Sequence, residues 1–376
     1  MTRRDRIHVV HLSSVHYAFD NRIFFKECTS LARAGYAVTF IAPDPNGDIA
    51  RNEVTLKALN MPRNRFKRVT STVPSLLVEA LKIDAAVYHF HDPELIPVGW
   101  LLKILGRHVI YDVHEDYTGT MADKRWIPFG LRGLASWLVR LAEKNVAGKF
   151  DYVIVATPKI GMKFNGMRTR TIQNFPWSSE LMCLDGVNYR DREPIVAYVG
   201  ALSDIRGLRE MAKALVIVRR VRPLRLLTAG KVTLGADAAI DEDGQAGSIE
   251  HLGMQSREQV RELLSRSRVG IVVLHPTGNY VDSQPTKLYE YMSAGLPVVA
   301  SDFPIWREII DSAQCGLLID PLDPNAIADA ILWLIENPEE AEAMGRRGHE
   351  AVLEKYNWER EAEYLVDIYA SLALTS

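Results

Sequence analysis

Short apolar runs recur along the chain, each closed by a polar or glycine-containing turn. In the first half they fall at residues 7–12, 38–42, 85–92, 106–112 and 151–156. In the second half they fall at 195–200, 224–229, 269–274 and 298–300. These runs are continuous rather than alternating, the pattern of strands buried on both faces in a parallel sheet. Longer stretches with helical spacing lie between them. Phe24 to Ala34 has an apolar stripe and ends at Gly35, a helix stop. Trp126 to Val146 carries the stripe Leu131, Leu134, Trp137, Leu138 and Leu141, and Asn325–Glu336, Pro338–Tyr356 and 358–372 also read as helices. The rhythm of strand, loop, helix and strand predicts an α/β protein with doubly wound sheets. It pauses over a polar, turn-rich stretch before 195 and then restarts. Two domains follow, 1–180 and 195–357, joined by a linker at 181–194.

A chain of 376 residues is long for one core and suits two. With 47% apolar and 24% charged residues it has the make-up of a soluble globular protein. No apolar run is long enough to span a bilayer. The N-terminus leads directly into the first strand, which is too short for a secretory signal core. Cys28, Cys183 and Cys315 are scattered and offer neither a disulfide framework nor zinc-ligand spacing, so a reducing cytoplasm is expected. The loop after the first strand lacks the glycine fingerprint of dinucleotide sites, which argues against a nicotinamide cofactor.

The net charge of −2 hides an asymmetry. Residues 1–190 hold 26 Lys and Arg against 18 Asp and Glu, a balance of +8, leaving 19 against 29, or −10, for the remainder. A basic half suggests something anionic facing it. The densest basic run is Arg63, Arg65, Lys67 and Arg68. Phosphate, acidic lipid or nucleic acid would suit it, and a solvated loop is the plain alternative. No nucleic-acid-binding motif accompanies it, and nucleic acid is not expected as a partner.

The stretch richest in candidate chemistry runs from Asp282 to Glu290. A polar loop feeds a helix N-terminus there, and free N–H groups together with the helix dipole favour an anion. Lys287 adds a positive charge in the first turn, and Glu290 follows where it could accept from ribose hydroxyls. A solvated Lys and Glu on an amphipathic helix is the plain alternative. His89, His91 and Asp92 sit at the end of a strand, with both histidines on one face. A metal site comes to mind, but no third or fourth ligand is obvious, and structural hydrogen bonding is the expected role. His114 lies at another strand end, where ligands of open α/β sheets gather. Asp241-Glu-Asp243 lies in a small, acidic, glycine-rich stretch and reads as a solvated loop tip.

Residues Pro285-Thr-Lys-Leu-Tyr-Glu-Tyr-Met-Ser-Ala-Gly-Leu-Pro-Val-Val-Ala-Ser-Asp302 resemble the donor-site signature of the retaining, family-four (group 1) glycosyltransferases. Asp282 stands where that signature has its first glutamate. The opening, His16-Tyr-Ala-Phe-Asp-Asn-Arg-Ile-Phe-Phe-Lys-Glu27, is similar to a branch with Asp-x-Arg-Ile in place of paired glycines. The loop from Gly200 to Leu208 resembles the family loop whose two cations grip the donor diphosphate. Ala201 replaces the first cation and Arg206 the second; an arginine can still bind phosphate bidentately.

The resemblance implies a GT-B fold, in which two Rossmann-like domains face each other across a cleft and helix 358–376 crosses back to the first. It implies transfer of a sugar from a UDP- or GDP-linked donor to a glycan or lipid-diphosphate-linked acceptor, with retention of configuration and without metal or organic cofactor. The donor would meet Gly200, Arg206, Lys231, Asp282, Ser283, Thr286, Lys287, Leu288 and Glu290. His114, Asp282 and Arg206 would serve the reaction, and His16, Asp20 and Arg22 the acceptor side. The family has a similar His-x-His-Asp strand end without a metal. Surface-polysaccharide synthesis at the inner face of a bacterial membrane, reached through the basic half, is the expected setting. Two other readings stand beside this one: an epimerase of sugar nucleotides on the same fold, and a catalytically silent homologue that binds sugar nucleotide as a scaffold.

Overall fold

The computed structural model describes residues 6–115, 137, 143, 145–182, 189–233, 249–277, 280–284 and 286–373. Most of the helix expected over 126–146, part of the 181–194 linker, Cys183 and the acidic tip 241–243 lie outside the described residues. The chain divides into two compact units: Met1–Asn174 with Glu359–Ser376, and Phe175–Trp358.

The first unit is built on eight strands: β1 (His8–Leu12), β2 (Ala37–Pro43), β3 (Ile49–Arg51), β4 (Val54–Leu59), β5 (Val87–Phe90), β6 (His108–Val113), β7 (Tyr152–Val155) and β8 (Thr169–Thr171). Their order across the sheet is β3-β4-β2-β1-β5-β6-β7-β8, and every pair is parallel except β3–β4. Sequence order therefore reverses between β1 and β5. The second unit repeats the plan with β9 (Ile195–Val199), β10 (Arg225–Ala229), β11 (Ile249–His251), β12 (Val269–Val272), β13 (Val298–Ser301) and β14 (Gly316–Ile319). Its all-parallel order is β11-β10-β9-β12-β13-β14, so the reversal falls between β9 and β12. In such sheets the crevice beyond the strand ends at the reversal is where ligands bind.

Alternation along each strand feeds two layers. Ile195, Ala197 and Val199 of β9 pack into one core with Leu288, Tyr291, Trp306 and Ile310. Val196 and Tyr198 pack into the other with Leu208, Leu215, Ile327 and Ile331. Helices on both faces explain why the strands read as unbroken apolar runs.

Three local features depart from the sequence expectation. The first helix begins as a π-helix over Ile23–Cys28, and only Thr29–Arg33 is α-helical. Asp20 anchors its entry, its Oδ1 accepting from the N–H groups of Arg22 and Ile23 at 2.8 and 2.9 Å. Residues 49–59 form a β-hairpin that carries no strong apolar run. Asn52 and Glu53 make its two-residue turn with φ of 53° and 61°, the left-handed backbone such turns need. The basic run is not a loop: Asn64 caps a helical turn over Arg65–Lys67, and a helix continues over Val73–Leu81.

In the second unit the loop before helix Thr286–Ser293 is tied to the core. The Trp306 indole, fully buried, donates to the Ser283 carbonyl at 2.6 Å and meets Phe303 edge-on at 4.9 Å. Trp306→Ala should destabilise this unit by about 3–5 kcal/mol, since a large buried ring is replaced by a cavity. Urea unfolding followed by circular dichroism measures the loss; a cost under about 1 kcal/mol would contradict this packing role.

Candidate active site

In the second unit, β9 is followed directly by Gly200, whose φ is +139°. A Cβ there would lie 2.1 Å from Lys287 Cε, so the lysine stem is laid directly across the glycine backbone. Seven residues on, Gly207 takes φ +74°, and a Cβ there would strike the Val273 carbonyl oxygen at 2.1 Å. This close approach joins the loop after β9 to the segment after β12, the two loops that flank the reversal in strand order. Gly207 also caps helix Leu208–Arg219.

Arg206 and Lys287 converge on the Tyr198 side chain. Lys287 Nζ lies 5.5 Å from the ring centroid. The Tyr198 hydroxyl donates to the Ala201 carbonyl at 2.8 Å, and the Arg206 charge acts on it against the burial that raises its pKa. Arg206 also lies 5.8 Å from the Tyr280 ring. Burial first, and then repulsion from Arg206, lower the Lys287 ammonium to about 8, against the pull of Glu290. Two cations brought together in a half-buried place, beside a helix N-terminus, describe a site for a multiply charged anion.

Glu290 is buried, and its Oε1 accepts from Arg257 Nη1 at 3.0 Å. Arg257 Nε is held in turn by Glu180 at 2.7 Å. This buttress has no sequence signature, because its members are far apart in the chain. A second missed support is Tyr291, whose hydroxyl accepts the Val199 N–H at 2.9 Å and pins the end of β9. The other expected donor residues are placed unevenly. Ser283 turns back on its own loop, its hydroxyl donating to the Tyr280 carbonyl at 2.9 Å. Thr286 opens the helix, and Asp282 is exposed just before it. The Leu288 side chain is fully buried in the core, so any donor contact there falls to its backbone. The Lys231 side chain is exposed, while its carbonyl accepts the Leu202 N–H at 2.9 Å.

The first unit gathers polar groups at its own reversal, from the ends of β1, β5 and β6. Asp92 fixes the loop after β1: its Oδ2 accepts from Ser13 Oγ at 2.8 Å and the Ser14 N–H at 2.7 Å. His16 Nδ1 lies 3.4 Å from Asp20 Oδ2 and its Nε2 3.7 Å from Asp92 Oδ1. Burial opposes charge on the His16 imidazole, but Asp20, Asp92 and Asp112 outweigh it and raise its pKa above the ordinary value. The His114 ring lies 4.9 Å from that of His16, and its Nε2 is 2.8 Å from Asp112 Oδ2. His16, Asp20 and His114 therefore share one cluster.

Arg22 corrects the sequence reading. It was expected to meet an acceptor or phosphate, but its guanidinium is only 5% exposed. It pairs with Asp112 Oδ1 at 3.2 Å and Glu27 Oε1 at 2.9 Å, and donates to the Ile172 carbonyl at 2.9 Å. Burial works against the charge of Asp112, yet Arg22, His114 and His91 hold its carboxyl well below the usual range. Glu27 is pushed the other way, by burial and by Asp112, against the pull of Arg22.

Among the described residues no helix is long and apolar enough to cross a membrane. Two family profiles match the chain, one within each unit. The family profile "Glycosyl transferases group 1" matches residues 186–351, and "Glycosyl transferase 4-like domain" matches 25–169. A phosphatidyl-myo-inositol mannosyltransferase of Mycobacterium tuberculosis is 30% identical over 301 residues, covering 77% of this chain and 75% of that one. Other curated glycosyltransferases match over about half of their own length, 43% and 54% for two of them. Among solved structures, sucrose-phosphate synthase from Thermosynechococcus elongatus superposes with a TM-score of 0.77 at 20% identity, over 99% of this chain and all of that one. The Anabaena protein HepE, solved in complex with UDP, gives 0.71 at 13% identity over 97% of this chain and all of that one. A profile on each half, a relative matched over three quarters of both chains and two Rossmann-type sheets agree: the chain belongs to the group 1 glycosyltransferases and has their GT-B fold.

Proposed function

We propose that this glycosyltransferase moves a sugar from a UDP- or GDP-linked donor to a glycan or lipid-diphosphate-linked acceptor, with retention of anomeric configuration. The observation that carries the donor assignment is the pairing of Arg206 with Lys287 against Tyr198, at the reversal of the second sheet. A nucleoside diphosphate is the anion that suits two cations and a helix N-terminus, and HepE, of the same fold, was solved with UDP. As the bond from sugar to diphosphate breaks, negative charge grows on the leaving oxygens and positive charge on the sugar. Arg206, Lys287 and the first N–H groups of helix Thr286–Ser293 are assigned the first charge. That neutralisation comes from side chains and backbone, with no metal ion assigned to the diphosphate.

Glu290, fixed by Arg257 at 3.0 Å, is assigned the ribose hydroxyls. Asp282 is assigned the donor sugar hydroxyls. Its side chain is shorter than the glutamate of the family signature, so this contact rests on the loop that Trp306 holds. In the first unit, His16 and Asp20 are assigned to the acceptor side, and His114, oriented by Asp112, to the proton and charge changes of the reaction.

The test is turnover of UDP- and GDP-sugars by the full chain, with and without saccharide acceptors, read by NMR of the anomeric proton. One donor should be consumed with its configuration kept. Arg206→Met and Lys287→Met should each lower the rate by about 100–1,000-fold while leaving the fold intact. An inverted product would overturn the retaining assignment. Conversion of the donor sugar to an epimer without acceptor would favour the epimerase reading, and no turnover of any donor the scaffold reading.

We further propose that the first unit meets an anionic membrane surface, at the inner face of the cell membrane where surface polysaccharide is built. Phe66 is 74% exposed within the run containing Arg63, Arg65 and Lys67, and Val78 and Leu81 are exposed on the helix that follows. Basic residues interleaved with exposed apolar ones suit a charged lipid interface. Arg68 is held back by Glu94 at 2.6 Å. The full chain should sediment with phosphatidylglycerol vesicles at low salt and be released at 0.5 M NaCl, and Arg65→Glu with Lys67→Glu should weaken sedimentation at least tenfold. Equal sedimentation with neutral vesicles would contradict the assignment.

A further inference from the structure

His89 and His91 face one side of β5, and the sequence alone offered them no further ligands. The fold supplies two. His11 arrives from β1, the neighbouring strand, in register with His89, and Glu27 arrives from the π-helical turn. All four side chains are fully buried. One candidate ligand atom from each lies within 4.8 Å of the others. His11 Nδ1 is 3.0 Å from His91 Nε2 and 4.0 Å from Glu27 Oε2. Tetrahedral ligands at about 2.0–2.1 Å from an ion lie about 3.3 Å apart, so small shifts would close this set.

Two atoms in the cluster are unexplained by hydrogen bonding. Glu27 Oε2 and His89 Nε2, both wholly buried, have no hydrogen-bond partner. Leaving such groups unpaired inside a protein is costly. Three other ring nitrogens of the cluster, by contrast, have oxygen partners. His11 Nε2 and His89 Nδ1 meet the Tyr369 hydroxyl at 3.0 and 2.8 Å, and His91 Nδ1 meets Asp112 Oδ2 at 3.3 Å. An oxygen behind an imidazole is the outer shell that orients metal-binding histidines; His91 Nδ1 also lies 4.0 Å from Glu27 Oε2, so it faces the cluster as well as Asp112. The charges agree. Glu27 and Asp112 share the single guanidinium of Arg22, which leaves one negative charge that a bound cation would more than offset.

We propose that His11, Glu27, His89 and His91 form a closed, four-ligand site for one divalent transition-metal ion of the zinc class. Imidazole with carboxylate suits such ions, and four protein ligands without an open position suit a structural site rather than a catalytic one. The ion would clamp β1, β5 and the first helix together, and through His91 and Asp112 it would fix the orientation of His114.

The experiment is metal analysis of the full, untagged chain expressed with added zinc and then desalted. About one zinc per chain is expected. Chelation should lower the melting temperature and zinc should restore it, and cobalt substitution should give the intense visible bands of a tetrahedral site. Glu27→Gln and His89→Gln should lose the bound ion, Tyr369→Phe should bind about 10–100-fold more weakly, and His108→Gln, elsewhere on the sheet, should bind as the parent does. The proposal is overturned if the metal-free parent takes up no stoichiometric zinc, which would leave a proton on Glu27 as the compensating charge. It is equally overturned if Glu27→Gln binds as tightly as the parent. Should that variant fail to fold, the zinc titration and cobalt spectrum of the parent decide alone.

Discussion

Two like charges held together organise the second unit. Arg206 and Lys287 repel each other, and half-burial weakens the solvation of both, which is why the lysine falls to about 8. Nothing in the core requires this arrangement, and the structure around it works to keep it. Gly200 gives the lysine stem its room, Gly207 brings the Arg206 loop against Val273, and the Tyr198 ring lies 5.5 Å from the lysine ammonium. A cost built in by several independent contacts is the mark of a site made ready for a ligand. An incoming diphosphate would turn the repulsion into attraction.

The first unit solves the opposite problem. Its interior holds two carboxylates, Glu27 and Asp112, around one arginine, with three wholly buried histidines beside them. Burial, above all, keeps those imidazoles uncharged, with His91 lowered to about 4. Asp112 is the hinge of the network, touching Arg22, His91 and His114. His114, nearer the surface, thus takes its orientation from the buried Asp112, while His16 rests on the half-buried Asp20 and on Asp92.

Much of this was legible in the sequence. Parallel strands buried on both faces declare themselves as apolar runs, and the helix with Thr286, Lys287 and Glu290 reads directly as loop, helix and turn. The hairpin at 49–59 was not legible, because its signal is a two-residue turn of Asn52 and Glu53 rather than a glycine. The role of Arg22 was misjudged for a different reason. Its partners come from three places far apart in the chain: Asp112 from β6, Glu27 from the π-helical turn and the Ile172 carbonyl from the end of β8, and only the folded sheet brings them together. The Arg257–Glu290 pair is equally non-local. What the chain does show is His11 in β1 and His89 and His91 in β5, with three strands between them in sequence.

Calorimetric titration with UDP and GDP across pH 7 to 9 tests the Arg206–Lys287 anion site most directly. The anion favours the charged lysine, so binding should be tightest below pH 8 and weaken several-fold as pH rises through 8, where the free protein loses that proton. Lys287→Met should bind weakly at every pH and show no such slope, and Arg206→Met should weaken binding at all pH values. If neither nucleotide binds, or if binding is unchanged in Lys287→Met, the two cations are not the donor site and the central claim fails.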